Sequence, residues 1–295
     1  MRVFVTGANG HIGSAVVSEL IQNGHEVVGL ARSESSAAAV KAMGAEPRRG
    51  DIDDLNVLRE AAADADAVIH LAFKHDLMAT GDMPGAAAAD LAVVQAFGEA
   101  MAGTGKTLIG VGFKHTGDRA RDAMIDANPR SVGSQAVADL AGRGIRSMLV
   151  AIPPVTHSDQ DRHGFVPILI ETARRTGISA YVGEGANRWP AAHTLDVARL
   201  YRLALEKAPA GAQLYGATEE GVTLREIAET IGRRLGVPAA GIPAEQVADH
   251  FKWFAPFVQI DFTMPNAETR ELVGWEPSHP GLIADLEEGH YFSAE

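Results

Sequence analysis

The tripeptide Phe-Lys-His occurs twice in this chain, as Phe73-Lys74-His75 and Phe113-Lys114-His115. Each follows an apolar run, "AVIHLA" and "TLIGVG", and so stands where a strand should end. A lysine crowded by another cation and partly desolvated has a lowered pKa, and a histidine titrates near neutrality. Either can donate a proton to a developing alkoxide or stabilise an oxyanion. Lys114 and His115 are therefore candidate catalytic groups, and Lys74 and His75 candidate substrate contacts. The plainer alternative is solvated loop ends, or a grip on cofactor phosphate or an anionic substrate. His157 and His163 flank the polar stretch "SDQDR" and are read as substrate-facing loop residues. Paired with Asp159 or Asp161 they match no strong metal signature, and no metal is expected. Trp189 is read as a pocket wall or a core residue. The aromatic run "HFKWFAPF" is a lid over substrate, an anchor for its lobe or a subunit contact.

A second constellation is "TGANGHIG", residues 6 to 13, between an apolar strand and an amphipathic helix. Gly7 permits the tight turn, Gly10 lets the backbone approach a pyrophosphate, and Gly13 lets the helix pack against the sheet. Gly7, Asn9, Gly10, His11, Ile12 and Gly13 are thus the expected phosphate cradle, where N–H groups meet the positive end of a helix. At the end of the second strand an acid would bind the ribose of NAD. Ala31 stands there, followed by Arg32 and Ser33, which suit a 2′-phosphate and favour NADP(H) over NAD. Asp51 and Ile52, after the third strand, are expected to flank the adenine.

These groups need elements to hold them. Strands at "RVFVT", "HEVVGLAR", "AEPRRGD", "ADAVIHLAF", "KTLIGVG" and "IRSMLVAIPP" alternate with helical segments, which implies parallel pairing with right-handed crossovers. The expected fold is α/β, a doubly wound Rossmann sheet in the order 3-2-1-4-5-6 with ligands at the carboxyl edge, plus a smaller C-terminal substrate lobe. In that order the fourth and fifth strands are neighbours, which brings both Phe-Lys-His segments together. After Pro153-Pro154 the alternation stops and "VTHSDQDRHGFVP" looks like loop. The expected division is 1–155, an NADP-binding domain, and 156–295, mainly a substrate-binding lobe forming the far wall of a cleft, some of whose segments return to the core.

With these motifs in place the chain resembles the extended short-chain dehydrogenase/reductase family, including its atypical epimerase- and reductase-like branch. "TGANGHIG" is similar to its glycine motif and "GDIDD" to its adenine-site turn. "HLAF" resembles the fourth-strand end, which implies that Leu71, Ala72 and Phe73 lie beside the cofactor. "IPPVTHS" resembles the sixth-strand end near the nicotinamide, implicating Pro153 and Val155. "AAHTLDVARLYRLALE" resembles the family's His-x-x-Asp-Val-Ala segment, so His193 and Asp196 are read as structural. The family's reductases carry Ser, then Tyr and Lys four residues apart, the Lys lowering the Tyr pKa. Here Ser131 and Gln135 occupy the Tyr and Lys spacing, and none of the four tyrosines has Lys four residues on. Gln135 can bond a ribose hydroxyl but supplies no charge, and Ser131 is a poor proton donor at neutral pH.

The 295 residues are 46% apolar, enough for a large core, and the net charge of −12 disfavours nucleic acid as a partner. There is no cysteine, hence no thiol nucleophile or disulfide. No run approaches the ~20 apolar residues of a membrane span. A cytoplasmic protein acting on a small-molecule substrate is expected, and the resemblance implies a homodimer. "GTGKT" lacks the first glycine of a P-loop and precedes a strand rather than following one. Three functions remain: an NADP(H)-dependent oxidoreductase acting on a small carbonyl, imine or alkene-like substrate with a non-standard proton donor; a catalytically silent NADP(H)-binding sensor or regulatory protein; and a non-redox lyase, isomerase or dehydratase on the same fold. The first is preferred, because the cofactor half is intact.

Overall fold

A computed structural model describes residues 1–113, 115 and 119–293. The chain divides into two compact units. The first comprises Met1–Ala151, Ala198–Leu214 and Glu268–Trp275; the second comprises Ile152–Val197, Tyr215–Ala267 and Glu276–Glu295.

The first unit is a Rossmann-like α/β layer. Its strands are β1 (Arg2–Thr6), β2 (Glu26–Ala31), β3 (Glu46–Arg49), β4 (Ala67–His70), β5 (Thr107–Val111) and β6 (Arg146–Ala151). The helices between them are α1 (His11–Gln22), α2 (Glu34–Ala42), α3 (Leu55–Asp64), α4 (His75–Ala79), α5 (Met83–Met101), α6 (Arg119–Asp126) and α7 (Ser131–Asp139). The sheet order is β3-β2-β1-β4-β5-β6, with all five of these pairings parallel, as the alternation requires. A seventh strand, Gln213–Tyr215, extends the sheet beyond β6. It lies downstream of the alternating segment and carries no periodic signal there.

Register explains the core. Val28, Phe4, Val68 and Leu108 stand side by side on four neighbouring strands and present one apolar row. Leu58 of α3, Val93 and Phe97 of α5 and Val137 of α7 cover that row. Phe97 meets Phe4 edge-on at 6.3 Å between ring centroids and His70 at 5.6 Å. Helix starts follow local chemistry. Ser33 caps α2 by accepting from the backbone N–H of Ser36, whose hydroxyl accepts in return from the backbone N–H of Ser33.

The second unit has its own core. Strands β7 (Val155–His157), β9 (Arg188–His193) and β11 (Glu219–Thr223) form a three-stranded sheet, and β8 (Ser179–Val182) pairs with β12 (Ala239–Ile242), β10 being the Gln213–Tyr215 strand of the first sheet. Its helices are α8 (Phe165–Thr176), α10 (Leu224–Leu235), α11 (Ala244–Phe251) and α13 (Leu282–Glu288); α9 (Thr194–Lys207) runs from this unit into the first, which also receives most of α12 (Ala267–Val273). Trp189, Phe254, Val258 and Leu282 are buried together. The loop reading of residues 155–157 is corrected: they form a strand parallel to β9, with Val155 opposite Ala191 and His157 opposite His193. A polar segment can be a buried strand where its side chains find partners, as these do. Among the described residues no helix is long and apolar enough to cross a membrane.

Removing the Phe97 ring should be the costliest truncation on this face. Phe97→Ala is expected to lose about 3–5 kcal/mol of stability, read as a lower denaturation midpoint in urea. An unchanged midpoint would show that the row is not tightly packed.

Candidate active site

The glycine loop is tied to the end of β4 by one hydroxyl. Thr6 Oγ1 accepts the backbone N–H groups of Leu71 (3.1 Å) and Ala72 (3.2 Å). With both lone pairs engaged, its hydrogen goes to His70 Nδ1, 2.7 Å away. His70 must then carry its ring proton on Nε2, which donates to Asp90 Oδ1 at 3.2 Å. This also explains why "HLAF" leaves the sheet after His70: the next two amides are spent on Thr6. Gly7 has φ +69, and a Cβ there would lie 2.9 Å from the Ala72 nitrogen. A Cβ on Gly13 would lie 2.0 Å from the Gly7 carbonyl oxygen, so α1 packs against the turn only because that atom is missing. Gly10 is the N-cap of α1 and no side chain caps it. Asn9 and Gly10 are exposed, and His11 and Ile12 partly so. An uncapped helix start behind a close-approach turn fits a dinucleotide phosphate.

On the far side of β1, Arg32 is exposed and, among the described residues, without a bonding partner. Arg49 ends β3 opposite Ala31 and pairs with Glu34 at 3.3 Å. Ser33 spends its oxygen lone pairs in the α2 cap. Asp51 faces its own turn, its backbone N–H donating to Asp54 and its carboxylate accepting from Asp53. Ile52 leans on the core of this unit.

At the other edge the sequence-derived groups fare differently. Lys74 is held by Asp53, whose hydrogen bond, ahead of opposing desolvation, raises the ammonium's pKa above its ordinary value. Lys114 lies outside the described residues. His115 is exposed and bonded to Asp126 at 2.8 Å. Ser131 begins α7, while Gln135 points outward and donates to Asp139 at 2.8 Å. His75 meets Phe73 edge-on at 5.6 Å. Desolvation and then the Arg130 charge push His75 below its ordinary value, so its imidazole is mainly neutral at pH 7.

Arg130, Asp90 and Ser134 escaped the sequence reading. The Arg130 guanidinium lies 3.9 Å above the Phe73 ring centre. Burial pulls its pKa down, against Asp90 and Tyr201. Ser134 is buried and its hydroxyl donates to the carbonyl of Arg130 or Val111, at 3.3 and 3.4 Å. The signals were a lone acid in an Ala-rich helix and an arginine beside the vacant Tyr position. The Tyr201 hydroxyl is fully buried and has no hydrogen-bond partner among the described residues, and burial raises its pKa.

In the second unit most residues assigned to ligands are interior, His163 excepted. His157 is fully buried, bonding Asp285 at 2.8 Å, and Trp189 and Val155 lie in that unit's apolar core. The placement of His157 in a solvent-facing loop is therefore corrected: strand β7 turns it inward. Pro153 is also buried and His163 is exposed. His157 stands edge-on to His193 at 5.5 Å, and His193 stacks on His279 at 4.7 Å. Asp196, fully buried, accepts from the backbone N–H groups of Ser278 and His279 and from the His279 ring. That is the structural role the sequence implied for it. Asp285, Glu288 and His290 offer ligand atoms within 4.8 Å of one another, but Asp285 already serves His157.

The comparisons with known proteins bear on the first unit most directly. The family described as "NAD dependent epimerase/dehydratase family" matches residues 3–109. The uncharacterized protein C2A9.02 of Schizosaccharomyces pombe is 39% identical over 99% of this chain and all of its own length. The chain belongs to the NAD-dependent epimerase/dehydratase family. A Stigmatella aurantiaca protein, 4-hydroxy-2-methyl-3-oxo-4-farnesyl-3,4-dihydroquinoline-1-oxide ketoreductase, is 29% identical over 85% of this chain and 79% of that one. Among solved structures, the Thermus thermophilus UDP-glucose 4-epimerase in complex with NAD superposes with a TM-score of 0.71 at 19% identity. That match covers 98% of this chain and all of the other, and it shows the shared fold.

Burial, then the charges of His157 and His279, depress the His193 pKa to about 4. The unfolded chain therefore binds a proton between pH 6.5 and 4 that the folded chain does not. Stability is fully present above the unfolded value and falls as pH drops through that window, by up to roughly 3 kcal/mol. Thermal melts from pH 7.5 to 4.5 should show the decline, and His193→Gln should flatten it. An equally steep decline in the variant would assign it elsewhere.

Proposed function

We propose that this epimerase/dehydratase-family protein is an NADP(H)-dependent oxidoreductase of the atypical short-chain type that reduces a small carbonyl, imine or alkene-like substrate. The observation that carries the reading is the uncapped α1 start behind Gly7 and Gly13, with the uncommitted Arg32 at the neighbouring strand end. The Thermus thermophilus relative was solved with NAD, and the Stigmatella relative is named a ketoreductase. Both favour a nicotinamide cofactor and redox chemistry.

Gly7, Gly10 and Gly13 would hold the pyrophosphate against α1, Arg32 with Arg49 beside it the 2′-phosphate, and Leu71, Ala72 and Phe73 the cofactor's flank. When bound, the reduced nicotinamide supplies a hydride. The protein's task is to orient the substrate, exclude water and deliver one proton to the atom that becomes negative. For a carbonyl, hydride forms the new C–H bond, the C=O pair moves to oxygen, and a protein group closes the O–H bond. Gln135 is tied to Asp139 and Ser131 is a weak acid, so the proton comes from Lys114 or His115. His115 Nε2 is bonded to Asp126, which sets the orientation of the ring.

Two substitutions test the two halves. Arg32→Ala should raise the NADPH dissociation constant about tenfold and leave NADH unchanged, measured by nucleotide fluorescence. Equal effects on both nucleotides would remove the NADP preference. Lys114→Met and His115→Gln should show at least one loss of about 10²-fold in kcat with NADPH affinity retained. If both keep full turnover, the proton donor lies elsewhere. A protein that binds NADPH but passes its hydride to no carbonyl or imine would instead match the silent sensor, a reading favoured by the outward turn of Gln135.

A further inference from the structure

Arg130 holds a charge that no described side chain bonds directly; Asp90 acts on it only through space. It is the N-cap residue of α7, and its partly buried side chain stacks on Phe73. Among the described residues no oxygen accepts a hydrogen bond from its guanidinium, and no carboxylate forms an ion pair with it. The nearby acid, Asp90, keeps its charge but forms no bond with the guanidinium. Asp90 Oδ1 accepts from His70 at 3.2 Å, and Asp90 Oδ2 lies 2.3 Å from where a Cβ on Gly133 would stand, against the start of α7. Other basic side chains at this edge have carboxylate partners, Lys74 with Asp53 and His115 with Asp126. Burial shifts the pKa of Arg130 downward, yet an arginine keeps its charge in proteins. Withdrawing a guanidinium from water without a hydrogen-bonded counter-charge is costly, and a ligand anion offsets that cost.

Position selects which anion. Phe73 follows β4, and α7 packs on β5 and β6, all on one side of β1. Arg32 and Arg49 stand at the ends of β2 and β3 on the other side. A dinucleotide centred on the glycine loop has its 2′-phosphate at the second place and its pyrophosphate at α1. Arg130 instead adjoins Phe73, beyond the β4 end, so the anion is assigned to what would lie beside the reacting end. The guanidinium has one face against Phe73, and its N–H groups, unbonded among the described residues, match the geometry of a coplanar two-oxygen acceptor. His75, neutral on the edge of the same ring, adds no competing charge.

We infer that Arg130 is a binding residue for a carboxylate on the substrate, which makes the substrate a small oxo acid. For the word substrate this rests on the oxidoreductase reading; the anion site itself does not.

The test uses the full-length protein, with oxamate as an unreactive stand-in for a 2-oxo acid and oxamide as its uncharged counterpart. Calorimetric titrations are run with and without NADPH on the wild type, Arg130→Gln and Arg130→Lys. NADPH affinity of each, by fluorescence, reports that the fold and the cofactor site are intact. Oxamate should bind the wild type and oxamide should not. Arg130→Gln should weaken oxamate about tenfold or more, and Arg130→Lys less, because the charge stays while the fork is lost. NADPH affinity should stay within about twofold throughout. In turnover, phenylpyruvate should be preferred to its methyl ester, and the preference should vanish in Arg130→Gln. The inference is overturned if oxamate binds Arg130→Gln as it binds wild type, or if wild type that binds NADPH ignores oxamate. It is equally overturned if the substitution weakens NADPH about tenfold and leaves oxamate alone, since Arg130 would then belong to the cofactor. Failure of the wild type to bind NADPH would sink the oxidoreductase reading, while the nucleotide-free oxamate titration would still decide the anion site.

Discussion

The Thr6 hydroxyl is the contact on which the first unit's ligand edge depends. It takes two amides from the chain leaving β4 and gives its hydrogen to His70, which fixes that ring's tautomer and aims Nε2 at Asp90. One small side chain thereby links the end of β1, the end of β4 and the middle of α5. Valine is near in volume but offers neither the two acceptor positions nor the donor, and it would strand two amides. The turn at Gly7 presses directly on the amide of Ala72, so the glycine loop and the β4 end share one geometry. Whatever binds over the loop meets Phe73 at a set position, and Phe73 in turn carries Arg130.

Charge at this edge is distributed by pairing. Other basic side chains described near the strand ends have a carboxylate partner: Lys74 with Asp53, His115 with Asp126 and Arg49 with Glu34. Exposed pairs of this kind contribute about 0–1 kcal/mol each to stability, so their consequence is positional: they hold those side chains away from other tasks. Arg32 and Arg130 differ in having no such partner among the described residues. They stand on opposite sides of β1, the distribution two separate anions, one at each side of the glycine loop, would select. The overall charge of −12 makes this contrast sharper, because an uncommitted arginine on an acidic protein has many acids available and has paired with none of those described.

The fold was legible because its signals are periodic and local. Alternation of strands and helices, glycines at 7, 10 and 13, and apolar rows on β1, β2, β4 and β5 all point to one sheet order. Misreadings arose where tertiary partners override local pattern. "HLAF" looks like continuous strand, but Thr6 captures its amides after His70. "VTH" looks like loop, but His157 finds Asp285 128 residues away and the segment becomes a buried strand. The site was legible only in part for the same reason. Arg130 and Asp90 belong to segments separated in sequence, and no spacing rule reveals that the acid bonds a histidine and leaves the arginine without a direct partner among the described residues.

The absence of Tyr and Lys on α7 has a structural counterpart that narrows what replaced them. In the usual arrangement a lysine charge from the helix acts on a tyrosine one turn before it. Here Gln135 turns to Asp139 and supplies no charge, while the positive group on that helix stands immediately before Ser131, at the N-cap. Its neighbours are the Phe73 face, the His75 imidazole and, through space, the buried phenol of Tyr201. Desolvation first, and the Arg130 charge second, hold His75 below its ordinary value. A guanidinium at the N-cap is therefore placed to act on its neighbour's charge state and on an anion, rather than on an acid one turn away along the helix.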